Sequence, residues 1–173
     1  MRNQDILFLM TSILLGFFIG LLLKETYESI HHKPYRWSIQ PIIVNCANQN
    51  IPEDEVLDAI KYWEENGEEV GFYSHSPPDG VCDNEGVAGF IFLRMAEPGR
   101  LDNNTLASTR RYTRLSELRS STIWFKEGSY DLYLLMEHEI GHALGYAHVN
   151  ELGNIMNPTY EFIGENFTGN KDE

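Results

Sequence analysis

The 173-residue chain has room for one domain with a buried core, but not for two ordinary ones. A formal charge of −13 and a pI near 4.8 argue against nucleic acid as a partner, because phosphates would be repelled by such a surface. The two cysteines, Cys46 and Cys82, are too few for a cysteine framework or a Cys-rich zinc site. They leave either one disulfide or two buried thiols.

The chain opens on an uncharged run, Ile6 to Leu23, long enough to span a bilayer as a helix. It ends in Leu-Leu-Leu followed by Lys24, with no small-residue cleavage pattern. Residues 1–24 are therefore expected to be an uncleaved membrane anchor, with a cleaved signal peptide as the alternative. Residues 25–36 form a short polar linker, and residues 37–173 the globular domain.

Within the domain, Trp37 to Cys46 alternates and is β-branched enough for a strand. A helix follows over IPEDEVLDAIKYWEENG. Val56, Leu57, Ile60 and Trp63 fall at helical spacing, acids fill the first turn, and Gly67 stands at the stop. EVGFY suggests a short strand, SHSPPDGVCDNEG a loop, and VAGFIFLR, TLASTRRYT and STIWFKE three further strands. An apolar-periodic helix runs from about Tyr133 through Gly145. Strand, helix, four strands, helix is an α+β order with one mixed sheet. The acids between Glu53 and Glu69 fit a solvated helix face. Arg100, Arg110, Arg111, Arg114 and Arg119 gather elsewhere, as a solvated strand and loop or as a patch able to attract acidic segments.

The chemistry is concentrated in HEIGHALGYAH, residues 138–148. Residues four apart share a helix face, so His138 and His142 can present two imidazoles to one ion. Zinc takes neutral imidazole nitrogens, and a catalytic zinc has three protein ligands and one open position. Glu139, beside the first ligand, can reach the water that the ion activates and accept its proton. His148 lies too far round to belong to the same helix. Gly145 can adopt positive φ, end the helix and turn the chain so that His148 returns to the ion. Ile140 and Leu144 would pack the helix on the sheet. A His-Glu-x-x-His match alone is weak. With Gly145 and His148 at their offsets, it is a metzincin signature.

NELGNIMNPTY follows, with Met156 placed as the methionine of the turn for which metzincins are named. HEIGHALGYAH followed by IMNPTY resembles the signature of the matrixins, a metzincin family of zinc peptidases. The resemblance implies a metzincin-like zincin fold with a mixed twisted β-sheet, an active-site helix and a second helix. It also implies one catalytic zinc ion and a protein or peptide substrate bound in extended form. Leu106 and Ala107 on the edge strand would pair with the substrate backbone. Pro158 and Tyr160 would wall the pocket just beyond the scissile bond, and Leu134 and Leu135 would line it or belong to the core. Only His75 lies near the place of the family's structural metal loop, so neither a second zinc nor calcium is expected. The tail EFIGENFTGNKDE is short and polar, so the family's closing helix is expected to be absent or frayed.

Two functions compete. One is a membrane-tethered metalloendopeptidase. The other is an inactive zinc-binding relative that grips a peptide without cutting it, and the intact Glu139 favours the enzyme. Lys24, Lys33 and Arg36 after the apolar run would hold the domain in the cytoplasm. The danger of an unguarded peptidase argues for the extracytoplasmic side, which is the expectation adopted.

Overall fold

A computed structural model describes residues 35–47 and 50–169. The expected anchor over residues 1–24 and the linker up to residue 34 lie outside the described residues. Among the described residues, no helix is long and apolar enough to cross a membrane.

The β-branched and aromatic runs form six strands of one sheet: β1 (Arg36–Trp37), β2 (Ile42–Asn45), β3 (Tyr73–Ser74), β4 (Phe90–Met95), β5 (Ala107–Arg114) and β6 (Glu117–Phe125). β6 pairs in parallel with β1 at Glu117–Leu118 and with β4 along Ser120–Phe125. β2 lies between β4 and β3, parallel to both. Only β5 runs antiparallel, joined to β6 by the two-residue turn Leu115–Ser116, and its outer edge has no strand partner among the described residues. The sheet is thus mixed, as expected. The single strand expected over Trp37–Cys46 is split, because the bend at Ser38–Pro41 separates β1 from β2.

Two helices cover one face. α1 (Glu53–Glu65) begins with Glu53, Asp54 and Glu55, acids that suit the positive end of the helix dipole. It closes in a Schellman motif: Glu68 N–H reaches the Trp63 carbonyl at 2.9 Å and Gly67 N–H that of Glu64 at 3.0 Å, with Gly67 at φ +88°. Its buried stripe is Val56, Ala59, Ile60 and Trp63. Leu57 was expected in that stripe but is 45% exposed, and the small Ala59 holds the inner place. α2 (Leu135–Leu144) buries Ile140 and Leu144 in the same core as Ile43, Ile91, Leu93, Ile123 and Phe125.

Cys46 and Cys82 are joined by a disulfide, with Cα atoms 5.6 Å apart. It ties the end of β2 to the short 3-10 turn Val81–Asp83, whose Cys82 carbonyl accepts a hydrogen bond from the Arg94 guanidinium of β4. In chain-entropy terms, closing a loop with a sequence separation of 36 contributes about 4 kcal/mol. Reduction is therefore expected to lower the unfolding free energy by about 3–4 kcal/mol in denaturant titrations. An unchanged midpoint would show that the bridge does not restrain the unfolded chain.

Candidate active site

Three segments converge on one face of α2. The helix itself carries His138, Glu139 and His142, and Gly145, at φ +111°, ends it. The reversal is closed by Tyr146 N–H on the Gly141 carbonyl at 3.0 Å. A side chain at Gly145 is excluded twice, by the positive φ and because a Cβ there would stand 2.7 Å from the Tyr35 carbonyl oxygen. The turn brings His148 back to the two helical histidines, as expected.

Below them, the chain folds into a turn around Met156, which is fully buried. Asn154 Oδ1 accepts from Met156 N–H at 2.9 Å, and Asn157 Oδ1 from Thr159 N–H at 2.9 Å, so two buried asparagines build the turn. Gly141 makes room for it. A Cβ at Gly141 would lie 2.4 Å from the Trp63 ring and 2.5 Å from the Met156 sulfur. Trp63 fixes the other side, donating from Nε1 to the Glu137 carbonyl at 2.8 Å and stacking on Tyr146 at 5.0 Å.

The imidazoles are oriented from behind. His138 Nδ1 lies 2.7 Å from the Ile155 carbonyl and His142 Nδ1 2.9 Å from that of Tyr146. A carbonyl only accepts, so each Nδ1 carries the proton and each Nε2 is left as a lone pair. Those lone pairs face one another. His142 Nε2 is 3.1 Å from His138 Nε2 and 3.0 Å from His148 Nε2. Burial lowers His138 to about 4, and burial followed by the neighbouring His138 lowers His142 to about 3, so both are neutral near pH 7. With the His138 and His142 protons on Nδ1, no proton lies between those two Nε2 atoms, an arrangement that suits a cation. Two nitrogens on a tetrahedral zinc would be about 3.4 Å apart, close to the observed spacings. The residues present therefore fit a zinc ion, with three nitrogens holding it.

Glu139 is 5% exposed and turns toward β5. Its Oε2 accepts a hydrogen bond from the Thr109 hydroxyl at 2.5 Å. Burial pushes its carboxyl up to about 7, against the opposing pull of that hydroxyl. Thr109 was not legible as a site residue, because nothing in a strand sequence says which helix residue it will meet.

A cleft of about 970 Å³ opens over these groups, between the edge strand β5, helix α2 and residues 157–163. Leu106, Ala107, Leu135, Pro158 and Tyr160 all line it. Leu134 does not. It takes a left-handed conformation, φ 58°, at the start of α2 and packs against the core. The Leu106 carbonyl is turned into the sheet, accepting from Lys126 N–H at 2.8 Å and the Ser129 hydroxyl at 2.7 Å. Alternation along the strand then directs the main-chain groups of Ala107 and Thr109 to the open edge.

Among the described residues, the tail after Tyr160 forms only the 3-10 turn Tyr160–Phe162 and no α-helix, yet it is firmly engaged. Phe167 packs edge-on against Trp63 and Tyr146, each at about 5 Å between centroids, and Ile155 N–H donates to the Asn166 carbonyl at 2.7 Å.

The profile of the matrixin family matches residues 48–173. Interstitial collagenase of Oryctolagus cuniculus is 42% identical over 43 residues, which is 24% of this chain and 9% of that protein. The Bos taurus interstitial collagenase is 47% identical over 36 residues, 21% of this chain and 8% of its own length. The chain thus spans under a tenth of the length of the collagenases it matches. The family match is broader: it runs over well over half of the chain, takes in all three histidines, Glu139 and Met156, and agrees with a donor set built for zinc. On that ground the chain belongs to the matrixin family of zinc metallopeptidases.

Proposed function

We propose that the protein is a zinc-dependent metalloendopeptidase that cuts extended peptide segments. The observation that carries this reading is the pairing of the three-imidazole cluster with a buried, non-ligating carboxylate, both at the floor of a cleft beside an open strand edge. His138, His142 and His148 would hold the ion through Nε2. When bound, zinc supplies Lewis acidity toward the scissile carbonyl and makes hydroxide available near neutral pH.

The remaining work falls to side chains and backbone. The edge of β5 holds the substrate as an added antiparallel strand through the main chain of Ala107 and Thr109. Glu139 takes the proton of the attacking water and delivers it to the leaving nitrogen. Thr109 holds Oε2 in place, which leaves Oε1 to exchange that proton. Leu135, Pro158 and Tyr160 offer apolar surface to the residue after the cut bond, where a buried side chain contributes roughly 1.5–3 kcal/mol.

Purified protein incubated with a mixed peptide library provides the test, with zinc content measured alongside and a chelator control. Chelator-sensitive cleavage before bulky apolar residues is expected. Zinc binding with no cleavage of any peptide would favour the non-catalytic binding module instead. Thr109→Val should lower kcat roughly tenfold with KM and zinc content little changed, and Thr109→Ser should restore it. Equal turnover in Thr109→Val would remove the hydroxyl from the mechanism.

The apolar run Ile6 to Leu23 supports a single-pass membrane protein, and the disulfide supports a catalytic domain on the oxidising, extracytoplasmic side. Added protease on intact cells should then release the domain. Protection until lysis would place it inside.

A further inference from the structure

The chain is strongly acidic, yet the floor of its cleft carries an arginine. Arg111 belongs to β5, two residues beyond Thr109, and side chains two apart on a strand share a face. Thr109 touches Glu139, so Arg111 emerges on the active-site side. It is half-buried and lines the cleft beside His142, Ala147 and His148. Its exposed neighbours Arg110 and Arg114 extend the positive potential along the same strand.

The position of Arg111 along the cleft is fixed by the strand. It lies about 7 Å beyond Thr109 and about 13 Å beyond Ala107, at the end away from the wall formed by Pro158 and Tyr160. A peptide antiparallel to β5, with the residue after its cut bond against that wall, must lay its N-terminal part over Arg111. The opposite end carries Glu161, which lines the cleft next to Tyr160; burial first, and then the Glu161 charge, raise the Tyr160 phenol. The attraction for acids is therefore confined to one end.

We infer that Arg111 is a specificity residue that selects peptides with an acidic side chain two to four positions before the scissile bond. The inference rests on the peptidase reading above and narrows its substrate class. A guanidinium and a carboxylate in a half-buried cleft form a charge-assisted pair, stronger than a neutral hydrogen bond. Without it, a surface of this net charge would repel the acidic peptide.

The test uses the full chain and one cleavable peptide, varied as Glu, Gln or Lys at the third position before the cut. The same three residues are placed in turn at the second position after the cut. The expected kcat/KM order on the N-terminal side is Glu above Gln above Lys, with Glu favoured over Gln at least fivefold. Glu after the cut should bring no gain. Arg111→Gln should erase the Glu-over-Gln ratio, and Arg111→Glu should put Lys first. Should either variant fold poorly, the wild-type ratio still has to shrink as ionic strength rises. Equal rates for Glu and Gln in the wild type, a ratio that survives in Arg111→Gln or at high salt, or an equal gain after the cut would each overturn the assignment. Cleavage without charge preference leaves the peptidase standing, whereas no cleavage of any peptide fells both.

Discussion

Glu139→Ala is expected to leave about one zinc per chain and an unchanged fold while peptide hydrolysis falls roughly a thousandfold or more. The geometry separates the two roles. The metal-facing nitrogens belong to His138, His142 and His148, whereas the Glu139 carboxylate points to Thr109 on the edge strand. Loss of the carboxylate does not strand its partner, because the Thr109 hydroxyl also lies 3.1 Å from the backbone carbonyl of residue 139. Metal analysis and circular dichroism of the variant, beside its kinetics, check the three parts of the expectation. Zinc lost together with activity would make Glu139 a ligand and end the general-base assignment.

Gly145→Val should abolish zinc binding and turnover, and should also weaken the metal-free protein by about 2–4 kcal/mol. A β-branched residue resists the φ of +111°, and its Cβ would collide with the Tyr35 carbonyl 2.7 Å away and press on Leu118 at 3.3 Å. The Leu118 contact is with a side-chain tip that can yield, but the Tyr35 contact is with the main chain, so the backbone has to move, and with it the return of His148. His148→Ala makes the comparison informative. It removes a side chain from an exposed position without crowding, so it should lower metal affinity and leave the metal-free stability nearly intact. If both variants lost the same stability, or Gly145→Val kept full activity, the reversal at Gly145 would not be what assembles the site.

The histidine cluster was legible in the sequence because its determinants are local. Four-residue spacing on a helix and one glycine stop place all three imidazoles without reference to the rest of the fold. The two helices and the strands of the sheet were legible from period, again a local property. What failed depends on partners distant in the chain. Leu57 fits the apolar period of α1, but the inner stripe is set by Trp63 packing against Gly141, which favours Ala59. For Leu134 the sequence left pocket and core open, and its left-handed backbone at the start of α2 turns it to the core. Thr109 and Arg111 belong to a strand whose pattern is polar on both faces, so only tertiary structure says which side meets α2. The tail is polar overall, and its one decisive ring, Phe167, gains meaning only from the Trp63–Tyr146 stack it meets.

On the peptidase reading proposed above, that tail is where a cut would cost the most. Ile155 presents its carbonyl to His138 and its N–H to Asn166, so one residue links the first metal ligand to the C-terminal segment. Asn154, which shapes the turn around Met156, is likewise held by the Thr168 hydroxyl at 2.8 Å. A single nick between Phe162 and Asn166 would free both and slacken the floor beneath the metal with every histidine still in place. Autolysis at that point would act as a self-timed off-switch. It would be seen as inactivation that tracks loss of the C-terminal fragment by mass, and that slows when the protein is diluted if one molecule cuts another.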